Sequence, residues 1–123
     1  MMLIESSDYM TREFVRLFEF EKQCKQIKLT EDDIVKIENT LLDNPKIGIL
    51  LKGTKGIRKL RIEMPNRGKS GGARIIYVDF ANFEKIYLLT AYAKSKTENL
   101  TKAERNELRQ LVILLELELI KKG

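Results

Sequence analysis

Hydrophobic and charged residues alternate along "IRKLRIEM", residues 57–64. Because successive side chains of an extended chain point to opposite faces, this pattern predicts a β-strand with one apolar and one charged face. The apolar face carries Leu60, Ile62 and Met64, and the charged face carries Lys59, Arg61 and Glu63. The strand is therefore expected to hold a sheet to a core while presenting cations to an anion.

Two more strands are predicted after it. "ARIIYVDF" (73–80) is apolar on both faces from Ile75 to Val78, which is typical of a central strand. The turn "ANFE" leads into "KIYLLTAYAK" (85–94), and such short connections predict antiparallel neighbours. At the start of the chain, "MMLIE" (1–5) is long enough for a further strand.

Apolar residues spaced three and four apart predict two helices in the first half of the chain. The first is expected to begin at Asp8 as its N-cap and to run to about residue 26. The second is expected to begin with a capping box of Thr30 and Asp33. It should end before Pro45, because proline disfavours helical geometry in the residue that precedes it.

A last helix is predicted to open with a capping box of Thr101 and Glu104. Its main apolar stripe consists of Leu108, Leu111, Val112, Leu115 and Leu119. A second apolar set consists of Ile113, Leu114, Leu117 and Ile120. A helix that is apolar almost all round is either deeply buried or covered by a partner.

In chain order these elements predict βααβββα, an α+β fold in which the helices cover one face of a small antiparallel sheet. At 123 residues the chain is expected to form a single domain, 1–123. Neither an internal repeat nor a low-complexity linker interrupts it.

The chain is basic, with a formal net charge of +5 and a pI near 9.3. The excess is concentrated between Lys52 and Arg74, where eight Lys or Arg residues face a single acid, Glu63. This uneven distribution favours an anionic partner more strongly than the net charge alone.

The absence of histidine, with Cys24 as the only cysteine, argues against a transition-metal site and against Ser–His or Cys–His catalysis. We therefore expect no metal and no cofactor. Cys24 lies among charged residues of a predicted helix and is a poor candidate nucleophile. One unpaired cysteine, no apolar run of membrane length and no signal peptide predict a cytoplasmic protein without membrane contact.

With helices on one side, the other face of the sheet is expected to be open, and basic residues of three strands converge there. Lys59 and Arg61 belong to the first strand, and Arg74 opens the second. Tyr92 and Lys94 alternate onto a common face of the third. Like charges opposite one another across strands cost roughly 0.2 to 1 kcal/mol per pair, so such a cluster favours binding of a phosphate backbone. Nearby cations that are candidates for RNA binding are Lys55, Arg58, Arg67 and Lys69.

RNA cleavage is possible without histidine because RNA carries its own nucleophile, the 2′-OH. Attack on the adjacent phosphate needs a base, stabilisation of the phosphorane charge and a proton for the leaving 5′-oxygen. Arg61 and Arg74 suit the second task, because a guanidinium pairs with phosphate oxygens and stays charged. Lys59 is the candidate base, since neighbouring cations disfavour its ammonium form. Tyr92 or Lys94 could donate the proton or stack on a nucleobase.

The residues alone leave two alternatives open. The first is a basic module that binds ribosomal RNA or another nucleic acid without catalysis, with binding that weakens as salt rises. The second is a protein-interaction domain, suggested by the apolar last helix.

Three segments together resemble the RelE/HigB toxins of type II toxin–antitoxin systems, most closely the HigB-like branch. They are "KGTKGIRKLRI", "NRGKSGGARIIYV" and "IYLLTAYAKSKTENLTKAERNEL". The resemblance covers roughly residues 45–110, and the combination is more specific than any one segment.

This resemblance implies a ribosome-dependent mRNA endoribonuclease (mRNA interferase) with a RelE-like fold. Such toxins bind in the ribosomal A site, where they contact 16S rRNA. There they cleave mRNA by metal-independent 2′-OH attack and so inhibit translation. A cognate antitoxin, expected to be a helix-turn-helix DNA-binding protein, neutralises them. By position, Lys59 and Arg61 match the basic pair of the first central strand, Arg74 matches the arginine that contacts the scissile phosphate, and Lys94 falls in the basic stretch after the last strand.

Overall fold

The computed structural model describes residues 11–64, 72–96 and 99–122. Within these ranges the chain forms five strands, three α-helices and a 3-10 turn at Ala81–Phe83. In chain order the elements are β1 (Glu13–Arg16), α1 (Phe18–Gln26), α2 (Glu31–Asp43), β2 (Ile49–Leu50), β3 (Ile57–Ile62), β4 (Ala73–Phe80), β5 (Lys85–Ala93) and α3 (Lys102–Lys122).

The five strands form one mixed sheet in the order β1–β5–β4–β3–β2. The neighbours β3, β4 and β5 pair antiparallel, as predicted. The short strand β2 adds to the edge at β3, and β1 runs parallel to β5 at the other edge. β4 is central and buried along its length except at Asp79, which confirms the position predicted from its two apolar faces.

The first helix begins later than predicted. Residues 13–16, expected to be helical, form β1 instead, and α1 begins only at Phe18. β1 extends the sheet along the free edge of β5, and the backbone N–H of Leu17 donates to the carbonyl of Leu88 at 3.1 Å. Tertiary strand pairing has therefore overridden the helical spacing of the apolar residues. The strand predicted at 1–5 and the cap at Asp8 lie outside the described residues.

Both predicted capping boxes are present. The Thr30 hydroxyl accepts from the backbone N–H of Asp33, whose carboxylate accepts from the backbone N–H of Thr30. Thr101 and Glu104 make the same reciprocal pair before α3. Such boxes satisfy backbone donors that a helix start otherwise leaves unpaired.

Helices α1 and α2 cover one face of the sheet. Phe20 and Cys24 of α1 and Ile37 and Leu41 of α2 are buried there. Their partners in this core include Leu60, Ile75, Tyr77 and Leu88 of the sheet. The side of β3 predicted to hold the sheet to the helices does so.

Helix α3 covers part of the opposite face, which corrects the prediction that all helices lie on one side. Val112 and Leu119 are buried in a second core with Ile76, Val78 and Leu89. The physical reason is the central strand itself, because a strand that is apolar on both faces needs a cover on both. The basic face is therefore bordered by α3 rather than fully open.

Among the residues that the structure describes, no helix is long and apolar enough to cross a membrane.

Candidate nucleic-acid interface

Three predicted site residues form one row across the three central strands. Arg61 of β3 lies directly opposite Arg74 of β4, and Arg74 lies directly opposite Tyr92 of β5. Neighbouring strands are about 4.8 Å apart, so the three side chains leave the same face side by side. The row lies on the face that α3 covers in part, beyond Ile76 and Val78 on the same face of β4.

The members of this row differ in exposure. Arg61 is exposed, Tyr92 is intermediate, and Arg74 has only 5% of its surface exposed. One Nη of Arg74 donates to the carbonyl of Ala73 at 3.3 Å. Within the described part of the chain, no carboxylate forms an ion pair with Arg61 or Arg74. A nearly buried guanidinium beside a second arginine is an unusual arrangement, because buried charges are normally paired.

Gly72 lies at the end of the row, where a side chain would come close to Arg74 and Lys94. A Cβ at this position would lie 3.6 Å from Nη1 of Arg74, 3.3 Å from the carbonyl oxygen of Ile62 and 3.9 Å from the Cβ of Lys94. The backbone of Gly72 also accepts a hydrogen bond from the backbone N–H of Lys94 at 3.0 Å. The exposed Lys94 is thus held beside Arg74 by the last link between β4 and β5.

Lys59 lies one row further along β3, on the same face as Arg61. Its cross-strand neighbour is Ile76, which in turn lies opposite Thr90. The Lys59 ammonium donates to the side-chain oxygen of Asn99 at 3.0 Å. Asn99 belongs to the segment that leads into α3, so this segment borders the basic face. We call the set Lys59, Arg61, Arg74, Tyr92 and Lys94 the basic cluster.

Of the four predicted RNA-binding residues, the structure describes Arg58 and Lys55. Arg58 points to the opposite face, where it donates to the backbone carbonyls of Lys46 at 3.2 Å and Gly48 at 2.8 Å. Lys55 lies at the other end of β3 and contacts Glu116 of α3 at 3.9 Å. Neither joins the basic cluster. Arg67 and Lys69 lie outside the described residues.

Two arginines near the other edge of the sheet are neutralised by carboxylates. Arg12 makes a two-pronged pair with Asp79, with nitrogen–oxygen distances of 2.8 and 3.1 Å. Arg16 binds Glu38 and Glu31, each at 2.8 Å, and these bonds raise the pKa of Arg16. The contrast with Arg61 and Arg74 indicates that the basic cluster is suited to an external anion.

Cys24 does not contribute to this interface. It is 1% exposed in the core beneath α1, and burial raises the pKa of its thiol to about 12. A thiol in such surroundings is inert, because the thiolate is the nucleophile. Among the described residues, no cluster of His, Cys, Asp or Glu has the arrangement of a metal site.

Two features of the interface escaped prediction. Asn99 lies in a loop without a motif, and only the docking of α3 brings it to Lys59. The near-complete burial of Arg74 is the second, because the sequence predicts an open face for this residue. The apolar character of both faces of β4 was a signal that part of this face needed a cover.

A model of the family described as "RelE toxin of RelE / RelB toxin-antitoxin system" matches residues 9–117 of the chain. Among solved structures, the fold is similar to that of an arginine double mutant of the E. coli toxin RelE in the free state. The TM-score is 0.51 and the sequence identity 18%, covering 72% of this chain and 90% of that one. At this identity the likeness shows the fold, while the family match confirms the predicted resemblance. Assignment to the HigB-like branch stays a prediction.

Proposed function

Since the chain belongs to the family of RelE toxins of RelE/RelB toxin–antitoxin systems, we propose that it is a ribosome-dependent mRNA endoribonuclease. Its substrate is mRNA in the ribosomal A site, where the basic face also meets 16S rRNA, and its cleavage inhibits translation in the cytoplasm. The observation that carries the proposal is the row of Arg61, Arg74 and Tyr92 on one sheet face, in which neither arginine has an ion pair with a carboxylate of the described residues.

The row matches the needs of a transesterification. The RNA 2′-oxygen attacks the adjacent phosphorus and loses its proton, and the bond from phosphorus to the 5′-oxygen breaks. The 5′-oxygen gains a proton, which leaves a 2′,3′-cyclic phosphate and a 5′-hydroxyl. The nonbridging oxygens carry extra charge at the transition state, and this is the charge that Arg61 and Arg74 stabilise.

Proton transfer falls to the remaining members of the basic cluster. Lys59, Tyr92 and Lys94 carry N–H or O–H groups beside the two arginines. None of these steps requires a metal or a cofactor, because the nucleophile belongs to the RNA and the charge is met by guanidinium groups.

The apolar outer side of α3 suits the cognate antitoxin, which we propose to be a helix-turn-helix DNA-binding protein. Leu114, Leu117 and Ile120 are 61%, 50% and 57% exposed, while the opposite stripe of the helix packs on the sheet. Hydrogen exchange of α3 is expected to slow when the antitoxin binds, and unchanged exchange would remove this surface from consideration.

The function is tested with purified protein, ribosomes and a defined mRNA. The proposal predicts cuts within the A-site codon when the mRNA is on the ribosome, and intact mRNA when ribosomes are omitted, at equal protein concentration. Addition of EDTA to the protein before mixing should leave its activity unchanged. Binding to ribosomes that weakens with salt while the mRNA stays whole would instead establish a non-catalytic binding module.

A further inference from the structure

Asn99 has a position that the fold fixes closely. It lies two residues before Thr101, whose capping box with Glu104 fixes the start of α3. The intervening Leu100 packs against the second core, beside Leu111. The backbone that follows Asn99 is therefore anchored, although the side chain itself is exposed.

From this anchored position the amide oxygen of Asn99 accepts a hydrogen bond from the Lys59 ammonium at 3.0 Å. Among the described residues, charged or titratable groups of the same sheet face near Lys59 include Arg61, Arg74, Tyr92 and Lys94. A carboxylate in the place of Asn99 would cancel part of the positive charge that the face offers to phosphate. An amide orients the ammonium and leaves its charge intact.

We propose that Asn99 is a positioning residue for RNA cleavage. It holds Lys59 beside the Arg61–Arg74 pair in the ammonium form, so that Lys59 meets the phosphate as a cation and hydrogen-bond donor. The inference rests on the proposed function and narrows it, because Lys59 is then excluded as the base that accepts the 2′-OH proton. A hydrogen bond to the charged form of a group favours that form, and this is the effect that Asn99 exerts.

The test compares Asn99→Ala with Asn106→Ala, the same change at an exposed asparagine of α3 outside the basic cluster. Cleavage of ribosome-bound mRNA by Asn99→Ala is expected to fall about tenfold, the scale of one lost hydrogen bond to a charged group. In a Lys59→Ala background, the same Asn99 substitution is expected to cost clearly less, because the contact between the two side chains is already gone. Thermal unfolding of each variant establishes that the fold is retained.

The pH profile separates positioning from a merely structural role. If the ammonium is the working form, activity is lost as the pH rises through the titration of Lys59, and Asn99→Ala moves that loss to lower pH. Because tyrosine and lysine side chains both ordinarily titrate at alkaline pH, Lys59→Arg serves to distinguish Lys59 from Tyr92. Because arginine stays charged, the Lys59→Arg protein should keep its activity at alkaline pH to the extent that the loss in wild type comes from deprotonation of Lys59.

Three results would overturn the inference while leaving the proposed function intact. They are an Asn99→Ala protein as active as Asn106→Ala, an equal loss with and without Lys59, and a faster rate at neutral pH after loss of Asn99. The last would make the free amine of Lys59 the working form. A wild-type protein that does not cleave translated mRNA overturns the proposed function, and the inference with it.

Discussion

Arg61 and Arg74 lie directly opposite each other on adjacent antiparallel strands, and Arg74 is almost completely buried. Like charges in this relationship destabilise a sheet, so the pair is retained at a cost to the fold. A role in the predicted RNA cleavage is the best explanation for the presence of two arginines that lower the stability of the sheet.

Replacing Arg61 by glutamine is therefore expected to separate stability from activity. Loss of the repulsion should raise the free energy of unfolding by up to about 1 kcal/mol. Loss of a phosphate-binding guanidinium should lower the cleavage rate about 10²-fold or more. Denaturant titration measures the first effect, and an mRNA cleavage assay the second. Lys36→Gln, on the exposed side of α2, is the control for a lost charge. A less stable Arg61→Gln protein would show that the pair is not repulsive.

The Arg12–Asp79 pair is expected to be important for stability rather than for activity. The side chains of Arg12 and Asp79 are 10% and 9% exposed, and their contact connects the segment before β1 to the end of β4. Removing one partner leaves the other charge buried and unpaired, so Arg12→Ala should cost roughly 3 to 5 kcal/mol. The double variant with Asp79→Ala should be more stable than the sum of the single losses predicts. Additive losses in urea unfolding would show that the two residues act independently.

Tyr77 fixes the turn before β2 from inside the first core. Its hydroxyl donates to the carbonyl of Pro45 at 2.7 Å and accepts from the backbone N–H of Gly48 at 2.9 Å. Tyr77→Phe leaves both backbone groups without this partner and should lower the free energy of unfolding by about 1 to 3 kcal/mol.

Gly48→Ala is a second test of the same contact. The new Cβ would lie 2.8 Å from Cε1 and from the hydroxyl of Tyr77, and 3.1 Å from the backbone of Lys59, so one of them must move. Overpacking of this kind costs about 1 to 3 kcal/mol. In the Tyr77→Phe background the contact with the hydroxyl is gone while that with Cε1 remains, so the penalty should shrink in part. An undiminished penalty would show that the clash is with Cε1 or the backbone of Lys59 rather than with the hydroxyl.

The Cys24 thiol is expected to be unreactive until the protein unfolds. Because burial raises its pKa to about 12, the folded protein carries almost no thiolate at pH 8. Alkylation by iodoacetamide should be slow in buffer and rapid in urea. Fast alkylation of the folded protein would contradict the burial of Cys24.

The same raised pKa has a consequence for stability. Burial favours the neutral thiol in the folded state, so its contribution is fully present below the ordinary cysteine value of about 8.5. It is lost as the pH rises towards 12, because the unfolded chain ionises first. Denaturant midpoints measured between pH 7 and 10 should therefore fall on the alkaline side, and a flat profile would contradict this assignment.

The sequence was sufficient for the elements whose signals are local. Alternation in β3, the two apolar faces of β4 and both capping boxes each depend on residues a few positions apart, and each was predicted correctly. The basic cluster followed from the same alternation, since the period of two places Lys59 and Arg61 together.

The failures arose from contacts between residues distant in sequence. Residues 13–16 have helical spacing, yet the free edge of β5 recruits them as a parallel strand. The side on which α3 packs, and with it the contact between Asn99 and Lys59, depends on the tertiary arrangement of the sheet. Arg58 was grouped with its neighbours by sequence, whereas the pleat sends it to the other face.

The most direct test of the account is cleavage of translated mRNA by Arg74→Ala compared with Lys36→Ala, measured by primer extension after induction of each protein. Arg74→Lys, which keeps the charge but loses the guanidinium fork, should fall between them. We expect in-codon cuts with wild type and Lys36→Ala, and at least about 10²-fold fewer with Arg74→Ala at equal amounts of folded protein. An Arg74→Ala protein that cuts as well as wild type would contradict it.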